Sequence, residues 1–389
     1  MAEQGYIVIA DITGYTAFLS SSELEHAEDS LRSLINLLIE QTKPPLVISR
    51  LQGDAVISYA PQASFLQGQT MVEILENTYV AFRQARERMQ LNTTCTCSAC
   101  QNIPNLDLKF LVHYGSYVLQ QTPMYQELVG NDVNLTHRLL KNRITELTGV
   151  RAYAAYTEPV VEALGIRDFC IDMRQHSESY EHLGDVQLYI QDLQRVWERE
   201  RSRRRVLVEP AEAWFTLESE VPAPAPLVWD YFTKPEYRLI LMGADAMPVD
   251  NRIQGRTAPG TVYVCAHGDS RVRHAVLDWR PFEYYTYETE MPMGAKSLVT
   301  MRFIPIDRGQ ATKALGYCGK PSGNFVARSA LRAVRSKVIQ EVEAGMSALR
   351  TVILEELESG AALRPHPIVV PVEQVAAAVS ASVAESLAT

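Results

Sequence analysis

Two carboxylates placed where strands turn constrain this chain more than any other feature of its sequence. The apolar run Tyr6-Ile7-Val8-Ile9-Ala10 has the length and composition of a buried strand and ends on Asp11, which opens the turn Asp-Ile-Thr-Gly-Tyr-Thr. A helix follows, with Leu31, Leu34, Ile35, Leu38 and Ile39 at helical spacing, and Pro44 and Pro45 stop it. Leu46 to Tyr59 then reads as a strand pair with Gln52-Gly53-Asp54 at its turn. Both acids therefore fall at strand ends. A hard divalent ion takes carboxylate oxygens and keeps several waters, so such a pair can hold one; an Asp after a strand, taken singly, is more often a helix cap or a turn residue.

The rest of the chain alternates in the same manner. Thr70 to Met89 carries Val72, Leu75, Tyr79, Phe82 and Met89 along one helical side, Leu108 to Tyr114 is an apolar strand, Gly130-Asn131-Asp132 opens a helix through Leu140, and Gly149 to Thr157 is a further strand. This order predicts an α+β fold, a sandwich of helices on a sheet. At 389 residues the chain exceeds one ordinary core. The charged stretch around Arg201, Arg203, Arg204 and Arg205, balanced by Glu198 and Glu200, marks a solvated linker. The expected division is 1–195, a linker at 196–212, a second domain at 213–358 and a low-complexity tail at 359–389. In the second domain Ala213 to Val221 and several alternating runs between Thr261 and Ile306 predict an antiparallel sheet, and Ser329 to Leu357 a long helix.

The net charge of -9 argues against nucleic acid as a partner, because a phosphate backbone demands a surplus of Lys and Arg. No run approaches the ~20 apolar residues of a membrane span, and the start leaves no room for a signal peptide, so the expected location is cytoplasmic. Reduced cysteines follow from that location.

Four short stretches occur in a telling order: Ala10-Asp11-Ile12-Thr13-Gly14-Tyr15-Thr16, Gly53-Asp54-Ala55-Val56, His113-Tyr114-Gly115, and Gly130-Asn131-Asp132-Val133-Asn134-Leu135-Thr136-His137-Arg138. In this order they resemble the landmarks of class III adenylate and guanylate cyclases, over Gly5 to roughly Leu193, and are also similar to a bacterial family in which such a domain carries a cysteine insertion. The resemblance implies a ferredoxin-like cyclase sandwich and a cyclic nucleotide made from a purine nucleoside triphosphate, ATP rather than GTP. It implies two Mg2+ or Mn2+ ions on Asp11, Asp54 and the Ile12 carbonyl, with Gly14, Tyr15 and Thr16 around the phosphates. Asn134 and Arg138 would be the catalytic pair, facing the metal site of a partner subunit, which implies a two-fold homodimer. Arg50 and Glu127 fall at the base-selecting positions, with a polarity that suits adenine; they could equally pair with each other. One departure stands out. The family's late Lys is missing, since no Lys occurs between Lys141 and Lys234, and His182 is the basic residue nearest its place. The alternatives are a cyclase-like dimer that senses ligands without catalysis and a binding protein for a small apolar ligand, driven by the second half alone.

Cys95, Cys97 and Cys100 lie close enough to bind Zn2+ with a fourth ligand from elsewhere; loop thiols without metal are the other reading. The second half resembles the helix-grip fold of START-related proteins, through Pro224-Ala225-Pro226-Leu227-Val228-Trp229-Asp230-Tyr231-Phe232 and Asp278-Trp279-Arg280-Pro281. That resemblance implies a cavity for an apolar small ligand, with Tyr285, Tyr287 and Met293 as lining; the same side chains could be core packing.

Overall fold

The computed structural model describes residues 2–20, 24–92, 98–121, 126–180, 184–203, 205–290, 294–323, 329, 333 and 335–359. Its first half alternates strands β1 (Glu3–Thr13), β2 (Val47–Gln52), β3 (Ala55–Pro61), β4 (Asp107–Gln121), β5 (Gln126–Val129), β6 (Tyr153–Thr157), β7 (Arg174–Tyr180) and β8 (Gly184–Asp192) with helices. The helices are α1 (Tyr15–Ser20), α2 (Leu24–Thr42), α3 (Gly68–Asn92), α4 (Ser98–Asn102), α5 (Asn131–Leu139), α6 (Ile144–Thr148), α7 (Glu158–Leu164) and α8 (Leu193–Ser202). The sheet order is β2-β3-β1-β4-β6-β8-β7, with β5 paired to the far end of β4.

Period-two alternation in β1 explains why helices cover both faces. Tyr6, Val8, Ala10 and Ile12 pack with Leu34 and Leu38 of α2 and Leu75 and Phe82 of α3, whereas Ile7 and Ile9 pack with Val133 and Leu139 of α5. The acid at position 11 shares the parity of Ile7 and Ile9, so it stands on the α5 face.

The second half forms a seven-stranded antiparallel sheet of β9 (Ala213–Val221), β10 (Val249–Asp250), β11 (Val262–His267), β12 (Ser270–Arg280), β13 (Tyr284–Glu290), β14 (Lys296–Ile306) and β15 (Ala311–Gly319). Its order is β10-β11-β12-β13-β14-β15-β9. Helices α9 (Ala225–Thr233), α10 (Pro235–Met242) and α11 (Arg335–Ser359) pack on it through Trp229, Leu241, Met346, Leu349 and Ile353. The chain is thus α+β, with two sheets and separate cores. Among the described residues no helix is long and apolar enough to cross a membrane.

The charged stretch departs from the expected solvated linker. Leu193, Val196 and Trp197 of α8 are buried in the first core. Arg203 donates to the Trp279 carbonyl (2.9 Å), and the amides of Val206 and Val208 donate to Asp278 Oδ2 (2.9 Å) and Thr300 Oγ1 (2.8 Å). Glu200, read as a balancing surface charge, instead ion-pairs with Arg280 across the halves. A run of alternating charge is ambiguous in sequence because a charged partner surface stabilises it as well as water does.

The halves meet along the polar side of α3. Gln69 makes a paired amide contact with the Thr257 backbone (2.9 Å each way), and its Nε2 donates to Glu73 Oε1 at 2.7 Å. Trp279 Nε1 donates to the same Glu73 oxygen (2.7 Å), while Thr70 and Gln67 donate to the buried Asp230 carboxyl. Burial outweighs these donors and pushes the Glu73 and Asp230 carboxyls up to about 7. Between about pH 4.5 and 7 the folded chain holds protons that the unfolded chain has released. These groups therefore cost nothing at low pH, and stability falls as pH rises from about 4.5 to 7 and levels off above that. Glu73→Gln keeps the acceptor without the charge, so it should match wild type at pH 5 and exceed it at pH 9 by on the order of 2 kcal/mol. Thermal melts across that range measure the difference.

Candidate functional site

Register brings the two acids together. Asp11 is the last β1 residue paired to β3, opposite Ala55, so the Gly53-Asp54 turn lies directly beside it. Gly53 takes a left-handed φ of 63°, which a hairpin turn requires and glycine adopts without a Cβ penalty. Burial pushes the Asp54 carboxyl up to about 6, with the neighbouring Asp11 charge adding to the effect. A carboxylate pair held this way lacks positive charge. Part of it comes from Lys109, the cross-strand partner of Asp11 on β4, whose Nζ lies 3.0 Å from Asp11 Oδ2 and also donates to the Leu140 carbonyl (3.3 Å).

Ile12 is buried one residue beyond the last β1–β3 pair. Gly14 follows with φ 91°, and a Cβ there would stand 3.0 Å from the Asn105 carbonyl oxygen, so glycine is demanded by both conformation and space. Tyr15 and Thr16 form the first turn of α1, the Gly14 carbonyl accepting from the Phe18 amide at 2.9 Å.

The His113-Tyr114-Gly115 stretch serves α5. A Cβ on Gly115 would lie 2.4 Å from the Asp132 carboxyl carbon, and its absence lets Asp132 Oδ2 accept from the Ser116 amide at 2.6 Å, fastening the start of α5 to β4. Beside it, burial pushes the His113 imidazole down, and its Nδ1 meets Thr157 Oγ1 at 2.9 Å. The helix so anchored buries Val133, Thr136 and Leu139 and leaves Asn134 and Arg138 exposed. Neither makes a side-chain hydrogen bond or ion pair among the described residues, and neither reaches Asp11 or Asp54 within this chain.

Arg50 and Glu127 pair with each other, joining β2 to β5. Arg50 Nη2 also lies 3.2 Å from His137 Nε2 on α5. Burial, with the Arg50 charge, pushes the His137 imidazole down, so it is neutral and accepts from Arg50. Of the two readings of Arg50 and Glu127, the resting chain adopts the closed one.

Asp11 and Asp54 supply carboxylate oxygens, the donors a hard divalent ion takes, and such an ion needs few protein oxygens when substrate phosphates and water complete its shell. Among the described residues no group of three or more His, Cys, Asp or Glu converges as a metal cage. Cys95, Cys97 and His182 lie outside the described residues, and Cys100 is a half-buried cysteine on α4 that forms no disulfide. If the pair holds Mn2+, Asp54 must first lose its proton, so the affinity should fall about ten-fold between pH 7 and pH 5, as titration calorimetry would record.

Tyr285 and Tyr287 are core residues, and Met293 lies outside the described residues. The space between the two tyrosines and Tyr263 holds Arg238, a residue not singled out in sequence. Its guanidinium carbon lies 4.6 to 5.4 Å from the three ring centroids, and Arg238 is 1% exposed. Lys109 and Arg238 are cations that the sequence alone did not single out. Only Lys109 carried a signal, a charge inside an otherwise apolar strand.

Residues 31–148 match a family described as "Protein of unknown function (DUF2652)", which takes in Arg50, Asp54, Glu127, Asn134 and Arg138 but not Asp11. "Uncharacterized protein Rv2561/Rv2562" of Mycobacterium tuberculosis is 28% identical over 168 residues, 42% of this chain and 73% of that protein. Among solved structures, the guanylyl cyclase Cya2 aligns with 49% of this chain and 92% of its own, at 14% identity and a TM-score of 0.38. The adenylyl cyclase CyaB from P. aeruginosa aligns with 49% and 94%, at 14% identity and 0.36. A conserved protein from Geobacillus kaustophilus aligns with 36% and 95%, at 13% and 0.29. Structural likenesses at these scores do not bear on the chemistry of the site.

Proposed function

We propose that this chain is a metal-dependent nucleotide cyclase, using ATP, in which residues 1–195 form the catalytic domain and residues 213–358 a helix-grip domain coupled to it. One observation carries the reading: Asp11 and Asp54, far apart in sequence, stand side by side at a strand end, close enough for one charge to raise the proton affinity of the other. Two divalent ions on this pair would supply Lewis-acid activation of the ribose 3′-hydroxyl and charge neutralisation on the triphosphate. Asp11, Asp54 and the Ile12 carbonyl would hold and orient them. The 3′-hydroxyl would give up its proton to solvent, its oxygen would bond to the α-phosphorus, the bond to the bridging oxygen would break, and pyrophosphate would leave with the electron pair.

Asn134 and Arg138 supply ribose orientation and phosphate neutralisation from a second copy, which accounts for their exposed, unpaired state. Val47, Leu51, Val118 and Val129, large hydrophobic residues exposed on β2, β4 and β5, offer the apolar surface of a two-fold homodimer. For adenine to enter, Glu127 must leave Arg50, so that the cation donates to N1 and the carboxylate accepts from the N6 amine.

A second reading, a dimer that binds nucleotide without converting it, draws support from the Lys109–Asp11 pair, which occupies a metal-ligand carboxylate, and from the closed Arg50–Glu127 pair. Incubation with Mg2+ or Mn2+ and each nucleoside triphosphate, followed by mass spectrometry, separates the two. Cyclic product from wild type and none from Asp11→Ala supports the enzyme. No product from folded, dimeric protein with any triphosphate overturns it in favour of the sensor.

A further inference from the structure

A cleft of ≈ 1300 Å³ opens between the two halves, walled on one side by α3 and on the other by the end of β12 and the β14–β15 turn. Its charge runs against that of the chain. The chain carries a net -9, yet eight basic and five acidic side chains line the cleft. The acids are largely spent: Glu76 pairs with Arg256, Glu200 with Arg280 and Arg203, and Glu73 is hydrogen-bonded by Trp279 and Gln69. Arg205 and Arg308 are exposed and make no hydrogen bond or ion pair among the described residues. Trp279 and Phe282 supply apolar wall between these cations.

Backbone geometry points to the same place. Five non-glycine residues among those described have a left-handed φ, and three of them, Gln254 (53°), Phe282 (67°) and Arg308 (54°), line this cleft. A bulky ring at positive φ is a costly outlier that persists where surrounding structure demands it, and such residues gather at ligand sites. Phe282 packs against the cores of both halves, so its strained conformation is fixed by their contact. Arg308 follows Asp307, also left-handed (φ 48°), and Gly309 behind it approaches Pro44 of the first half. The bidentate Arg256–Glu76 pair and the Gln69–Thr257 amide contact join the two halves beside the cleft.

We propose that this cleft is a binding site for an organic anion with an apolar body, its head group on Arg205, Arg308 and the Arg203–Arg280 wall, its body against Trp279 and Phe282. The site is separate from the Asp11–Asp54 pair, and its ligand is distinct from the triphosphate. The volume exceeds what most drug-sized ligands need, so an elongated acyl or multi-ring body fits the space. A neutral apolar molecule would leave the surplus cations unpaired and gain less.

The test uses the full chain and two dyes of similar shape, anionic 8-anilinonaphthalene-1-sulfonate and neutral N-phenyl-1-naphthylamine, titrated into wild type and Arg205→Glu/Arg308→Glu. Both positions are exposed and unpaired, so the variant should melt at the wild-type temperature. The expected result is saturable binding of the sulfonate by wild type, at least about ten-fold weaker in the variant, with weak binding of the neutral dye that the substitutions do not change. Three outcomes would overturn the proposal. They are equal sulfonate affinity in both proteins, neutral dye binding as tightly as the anion, and no saturable binding of the sulfonate by wild type. Binding inside the second sheet around Arg238 would give the first of these, because the reversed charges lie outside that core.

Discussion

Arg256→Ala should lower the unfolding free energy by about 3–5 kcal/mol, one of the largest losses available in this chain outside the apolar cores. Arg256 lies before β11 in the second half, and its two terminal nitrogens donate to Glu76 on α3 at 2.8 and 2.9 Å, a bidentate pair spanning the halves. Glu76 is buried, with Gln191 Nε2 as a further donor at 2.5 Å and the mostly exposed Arg199 at 3.6 Å. The Arg256 charge is what holds the Glu76 carboxyl below its ordinary range against burial. Deleting the guanidinium leaves a buried carboxylate with only partial compensation and removes a cation from the Phe169 ring. A double variant, Arg256→Met with Glu76→Gln, carries no stranded charge and should recover most of the loss. Urea unfolding of the three proteins measures both effects. A loss below about 1 kcal/mol in Arg256→Ala would mean the halves do not depend on this pair.

This interface shows where the sequence stops being legible. The apolar stripe of α3 was readable because Val72, Leu75, Tyr79 and Phe82 recur at helical spacing and face the first core. On the other side Gln69, Glu73, Glu76 and Asn77 are polar, and they meet the Thr257 backbone, Trp279, Arg256 and the Pro281 carbonyl. Periodicity separates apolar from polar and is silent on whether the polar side meets water or another polar surface. The β7–β8 hairpin escaped notice for a related reason. The burial pattern of β7 is mostly exposed, so it lacks an apolar run.

For the candidate site, local chemistry was legible and register was not. The Gly53-Asp54 turn and the start and spacing of α5 could be read from neighbouring residues. That Lys109 would face Asp11 depends on a β1–β4 register between strands almost a hundred residues apart, and that Arg50 would close on Glu127 depends on β5 folding back along β4. Of the two readings of Tyr285 and Tyr287, core packing is the one observed, because Arg238 fills the space a ligand cavity would need, and a single Arg in an amphipathic helix gives no warning that it will be buried.

The other large effect falls on the carboxylates themselves. With either acid removed, the remaining one would be a lone carboxylate, and Lys109 would neutralise it if that acid were Asp11. A divalent ion would then gain too little to displace its own water. Binding of Mn2+ in the presence of a nonhydrolysable ATP analogue should therefore fall by about a hundred-fold or more in Asp11→Ala and in Asp54→Ala, roughly 3 kcal/mol per site. Electron paramagnetic resonance of free Mn2+ during titration reads this directly, whether or not product forms. Analogue-dependent Mn2+ binding by wild type, lost in both variants, is the result expected if Asp11 and Asp54 form a metal–triphosphate site. Wild-type binding that survives both substitutions, or no binding by wild type at neutral pH, would contradict that assignment.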